Sequence, residues 1–177
     1  NINLASTVES PTTAYGLTVN GSGTTTFGGV VGGNSNPLLS ITTDSAGTTA
    51  INTTAITTTG AQTYNDGVTL GAGTTLTTTD SLVWFKSTVG NSAAKALSIS
   101  SGNGGATFAN TVGATTALGA ISLTTTGTTT FSNTVGAASL SSGTGTTVIN
   151  GGSITTSGAQ TYNGAVTLGA DTTLTGT

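Results

Sequence analysis

A long internal copy constrains this chain more than any other feature. Gly60-Ala61-Gln62-Thr63-Tyr64-Asn65 recurs as Gly158-Ala159-Gln160-Thr161-Tyr162-Asn163, and Val68-Thr69-Leu70-Gly71 recurs as Val166-Thr167-Leu168-Gly169, both at an offset of 98 residues. Gly47-Thr48-Thr49-Ala50-Ile51-Asn52 matches Gly145-Thr146-Thr147-Val148-Ile149-Asn150 at the same offset. The copy therefore pairs 47–79 with 145–177, and a chain that repeats itself at this scale builds its core by stacking units on one another.

A shorter beat runs inside the copy. An aromatic residue is followed four positions later by valine at Phe27/Val31, Tyr64/Val68, Phe85/Val89, Phe108/Val112, Phe131/Val135 and Tyr162/Val166. Steps between the aromatics are 37, 21, 23, 23 and 31 residues, and each long step contains the Ile51 or Ile149 module as an extra beat. Counted this way, the copy holds five units of about 20 residues, the length of one solenoid coil. Apolar pairs spaced by two, Leu17/Val19, Leu39/Ile41, Leu97/Ile99 and Ile121/Leu123, are the mark of half-buried strands. The expected fold is all-β: a right-handed parallel β-helix of about 20–23 residues per coil, roughly triangular in section, with about nine coils in a single segment, 1–177. The 13-residue steps from Ile51 to Tyr64 and from Ile149 to Tyr162 fit no full coil; either the isoleucine occupies another face or a coil is abbreviated there.

Composition agrees with this architecture. The chain carries 46 Thr and 28 Gly among 177 residues, β-branched side chains and turn formers that disfavour helix. It is not the composition of a disordered chain, because charged residues are only 4% and formal net charge is -3. Lys86 and Lys95 are the only cations, so no nucleic-acid partner is expected. With no Cys and no His, disulfides and the common metal ligands are missing, and neither cofactor nor metal is expected. No apolar run approaches the roughly 20 residues of a membrane-spanning helix. The start, Asn1-Ile2-Asn3-Leu4, lacks the basic and apolar regions of a signal peptide, so export would rely on a signal outside these residues.

The two ends match each other. Leu4-Ala5-Ser6-Thr7-Val8 parallels Phe85-Lys86-Ser87-Thr88-Val89, and residue 1 placed after Thr177 would set Leu4 19 residues beyond Tyr162, close to the 21 between Tyr64 and Phe85. The segment is thus expected to be one period of a longer fibre, in tandem copies or in subunits stacked end to end.

Few residues invite chemistry. The five carboxylates, Glu9, Asp44, Asp66, Asp80 and Asp171, are scattered, and the aspartates sit in turn contexts such as Asn65-Asp66-Gly67, so catalysis is not expected. No Asp-bearing nonapeptide recurs to hold calcium. Asn65, Asn110, Asn133 and Asn163 are expected at turns, their amides stacked along the axis. Trp84 turns outward with Lys86 if alternation from Val83 and Phe85 is strict, offering a surface for a sugar or a neighbouring fibre; a local register shift would bury it. The Thr-x-Thr pairs Thr24/Thr26, Thr57/Thr59, Thr77/Thr79, Thr124/Thr126 and Thr128/Thr130 are spaced too irregularly to forecast one flat ice-binding rank.

In the modules at 60–71 and 158–169, and in Gly-Thr-Thr-Thr-Phe at 23–27 with its near copy at 127–131, the chain resembles the β-strand repeat regions of large bacterial exoproteins similar to filamentous-haemagglutinin adhesins. That resemblance implies a secreted or cell-surface location and a role in adhesion, aggregation, sheath or matrix formation. It also implies partners of two kinds, further copies of the chain and glycans or other cell-surface ligands.

Overall fold

In the computed structural model, which describes residues 1–33 and 35–177, the chain winds through eight coils of short parallel strands as a β-solenoid, with no helix among the described residues. The first coil holds β1 (Ile2–Leu4) and β2 (Gly16–Val19), and the second β3 (Thr24–Phe27) and β4 (Ser40–Thr43). The third contributes β5 (Thr48–Ile51), β6 (Ala55–Thr57) and β7 (Gln62–Tyr64); the fourth β8 (Gly67–Leu70), β9 (Thr74–Thr77) and β10 (Val83–Phe85). The fifth has β11 (Val89–Asn91), β12 (Leu97–Gly102) and β13 (Ala106–Phe108), and the sixth β14 (Leu118–Thr125) and β15 (Thr129–Phe131). The seventh has β16 (Val135–Ser142) and β17 (Thr147–Ile149). The eighth has β18 (Ser153–Thr156), β19 (Gln160–Tyr162) and β20 (Val166–Leu168), after which β21 (Thr173–Thr175) begins a further winding.

Every coil meets three sides in the same order. The first side stacks β1, β3, β5, β8 and β11, continues through bridges from Val89 to Val112 and Val135, and ends with β18 and β21. The second side begins with Val8 and Val31 and runs through β6, β9, β12, β14 and the end of β16 to β19. The third carries β2, β4, β7, β10, β13, β15, β17 and β20. The long strand β16 bends round a corner: Val135 pairs with Ile154 on the first side, and Leu140 with Gln160 on the second.

One inward row measures the winding. Ile2, Thr25, Thr49, Val68, Val89, Val112, Val135, Ile154 and Leu174 pair in succession, in steps of 23, 24, 19, 21, 23, 23, 19 and 20 residues. The eight steps replace the nine coils expected from the sequence, and at roughly 4.8 Å per step they span about 38 Å. Their lengths exceed the expected 20–23 range at both ends because corner loops, such as 92–96 and 113–117, absorb extra residues outside the strands.

The aromatic beat marks corners, and all three corners use it. Tyr64, Phe85, Phe108 and Phe131 leave the third side for the first, Phe27 leaves the first for the second, and Tyr162 leaves the second for the third. Four of the six aromatics therefore stack: centroids are 5.1, 5.2 and 5.1 Å apart from Tyr64 to Phe131, with planes within 13° of parallel. Phe27 instead lies between Leu4 and Ile51.

This arrangement resolves the 13-residue step and corrects the count of five units. Ile51 sits on the first side between Phe27 and Leu70, whereas Ile149 sits on the third between Phe131 and Leu168. From Ile51 the chain crosses two sides to Tyr64 and then climbs four coils to Ile149. The second copy is therefore turned by one side of the triangle relative to the first.

Candidate interaction surfaces

What the modules conserve between the two copies is a hydrogen-bond network inside the wall. Gln62, fully buried, donates through Nε2 to the carbonyl of Ile56 at 3.2 Å and to that of Thr77 in the next coil at 3.0 Å, while its Oε1 accepts from the Tyr64 hydroxyl at 3.1 Å. Gln160 repeats the device with Ile154, Thr175 and Tyr162 at 3.0, 2.8 and 2.8 Å. Burial pushes the Tyr64 phenol above its ordinary pKa and keeps it a donor; the half-buried Tyr162 is raised by the same cause.

Replacing Gln62 with leucine strands the Tyr64 hydroxyl and two carbonyls in the core, at an expected cost of about 2–4 kcal/mol. Gln160→Leu should cost below about 1 kcal/mol, because water reaches its partners. Urea titrations of both variants check the difference, and equal shifts would contradict it.

Asn65 and Asn163 also act between coils, but not as an amide ladder. Asn65 Nδ2 donates to the carbonyl of Thr43, and Asn163 Nδ2 to that of Ser142 at 2.6 Å, each one coil below. Asn110 and Asn133 each accept from the next residue's N–H at 2.8 Å, a local turn contact. The expected stack of amides is replaced by bonds to backbone because the coil steps are unequal and bring no two of these side chains into register.

The carboxylates stay apart, and among the described residues no three of them converge. Asp44 accepts from Gly21 N–H at 2.9 Å and Asp80 from Asn103 N–H at 2.8 Å, both structural contacts between coils. Asp66 departs from the turn reading: its side chain points inward, is 3% exposed, and accepts from Thr43 Oγ1 at 2.8 Å and from Thr49 Oγ1 at 2.8 and 3.0 Å. Gly164 stands at the matching position of the second copy, where the hydroxyl of Thr147, counterpart of Thr49, has no hydrogen-bond partner among the described residues.

Outward positions form neutral rows. On the third side Thr18, Thr42, Thr63, Trp84, Thr107, Thr130, Val148 and Thr167 follow one another in register. On the second side Thr75, Ser98, Ser122, Ser141 and Thr161 do the same. A hydroxyl rank thus exists, one residue per coil. The Thr-x-Thr pairs did not reveal it because they are divided among sides: Thr24 and Thr26 lie on the first, Thr128 and Thr130 at the third.

Strict alternation holds at Trp84. Val83 and Phe85 are buried, Trp84 is 36% exposed, and the Lys86 ammonium lies 4.4 Å from its ring centroid, a cation–π contact worth about 0.5–1 kcal/mol at an exposed site. Trp84 is the only aromatic residue in the outward row of its side.

The end coils expose what the middle coils bury. Val166, Leu168 and Leu174 are 42, 57 and 48% exposed, and at the opposite end Ile2, Leu4, Val8 and Leu17 are half-buried. None of the strands is part of a helix long and apolar enough to cross a membrane. Comparison of the chain with family models, with curated proteins and with solved structures finds no match.

Proposed function

We propose that this protein is a structural component of an extracellular bacterial fibre, sheath or matrix, assembling by end-to-end stacking of its coils. The observation that carries the reading is the pair of open ends, where rows of backbone donors and acceptors and apolar side chains point along the axis. Ten hydrogen bonds across one junction at about 1 kcal/mol each would contribute about 10 kcal/mol before the cost of association. The neutral Thr and Ser rows suit lateral packing of such rods without charge repulsion. The sequence resemblance to surface-exposed exoprotein repeats points the same way.

Electron microscopy of the purified protein tests this. Filaments one solenoid wide, with an axial repeat near 40 Å (about eight coils at roughly 4.8 Å), are expected; dispersed monomers at all concentrations would contradict it. A second reading, an adhesin stalk that contacts glycans, is favoured by Trp84 alone, the outward aromatic of the third side. It requires glycan binding that Trp84→Ala removes.

A further inference from the structure

The open ends have a shape as well as a chemistry, and the shape selects one register. This inference rests on the end-to-end reading above. Because the chain climbs as it winds, the upper end is a ramp: β19 on the second side and β20 on the third are topmost, and β21 has already begun the next level on the first side. The lower end is the complementary ramp, starting with β1 on the first side.

We infer that a second copy docks on the upper end rotated by one side of the triangle, so that its β1 lies on β19 and its Leu4 covers the ring of Tyr162. If the copies kept the same orientation, β1 would rest on β21, and one strand level would stay empty above both β19 and β20. Rotation fills the step without a gap. It sets Val8 of the second copy over Val166 and Leu17 over Leu174, covering two of the exposed apolar residues and the half-buried Tyr162.

The interior of the molecule shows the same fit. Above Tyr64 and Val68, the first-copy counterparts of Tyr162 and Val166, lie Phe85 and Val89 in register. Leu4 and Val8 have the same spacing of four residues and share Ser-Thr-Val with that segment. A corner module works at any corner here, as Phe27, Tyr64 and Tyr162 demonstrate, so a one-side rotation places no residue type in a position the chain does not already use.

Cysteine cross-linking reads the register directly, since the chain has no Cys of its own. In the rotated arrangement Asn3 of one copy pairs with Thr161 of the next; in the unrotated one it pairs with Thr175. All three are exposed, so folding should survive substitution, which circular dichroism verifies. An Asn3→Cys protein is mixed with mass-tagged Thr161→Cys or Thr175→Cys protein under mild oxidation. A reducible heterodimer with Thr161→Cys and none with Thr175→Cys is the expected outcome, because disulfides need Cα atoms within about 7 Å. Cross-linking through Thr175→Cys alone overturns the rotation while leaving end-to-end stacking intact. Cross-linking through neither, with no filaments in the microscope, overturns both.

Discussion

Phe108→Ala is expected to lower the unfolding free energy by about 3–5 kcal/mol, among the largest losses a single truncation can cause here. Phe108 lies between Phe85 and Phe131 with ring centroids 5.2 and 5.1 Å away, and it is buried. Truncation leaves a cavity and removes two stacked ring contacts, each worth about 0.5–1.5 kcal/mol beyond area burial. In a solenoid each coil touches only its neighbours, so a lesion in the middle weakens two interfaces, whereas one at an end weakens a single interface. Tyr162→Ala, at a half-buried site with one coil below it, should therefore cost clearly less. Denaturant unfolding followed by circular dichroism measures both. A loss under about 1 kcal/mol for Phe108→Ala would mean that the aromatic rows do not hold the coils together.

A single methyl group added to the backbone should do comparable damage at Gly105 and none at Gly90. Gly105 has φ +75, and a Cβ there would lie 2.1 Å from the carbonyl oxygen of Thr128 in the next coil. Left-handed backbone alone costs a residue other than glycine about 1–3 kcal/mol, and the approach to a backbone carbonyl forces the two coils apart. Gly105→Ala is therefore expected to cost about 2–4 kcal/mol. A Cβ on Gly90 meets nothing within 4 Å, and Gly90→Ala should raise stability by about 0.4–1 kcal/mol through the unfolded chain. Similar melting temperatures for the two variants would contradict the close coil spacing at this corner.

The sequence made the solenoid legible because stacking demands repetition: inward residues must meet their counterparts one coil away, and Val68, Val89, Val112 and Val135 do so. Side assignment was hidden. With three sides of similar length, an aromatic-to-valine corner fits at any of them, so counting residues placed Phe27, Tyr64 and Tyr162 in one row when they occupy three corners. The outward threonine rank was hidden for a related reason, since steps between successive members vary with loop length. Asp66 was misread because a turn sequence fixes backbone shape and leaves open which way the side chain points; two threonine hydroxyls draw it inward. Trp84 and Lys86 were legible through alternation alone.

Distances along the third side test the stacked windings most directly. Spin labels on cysteines introduced at Thr18 and, in separate variants, at Thr107, Thr130 and Thr167 would report separations across four, five and seven steps of one row by double electron–electron resonance. Parallel coils require backbone separations near 19, 24 and 34 Å, rising by about 4.8 Å with each coil. Separations that fail to grow with coil number, as in a closed barrel or an antiparallel sandwich, would contradict the solenoid and everything built on it.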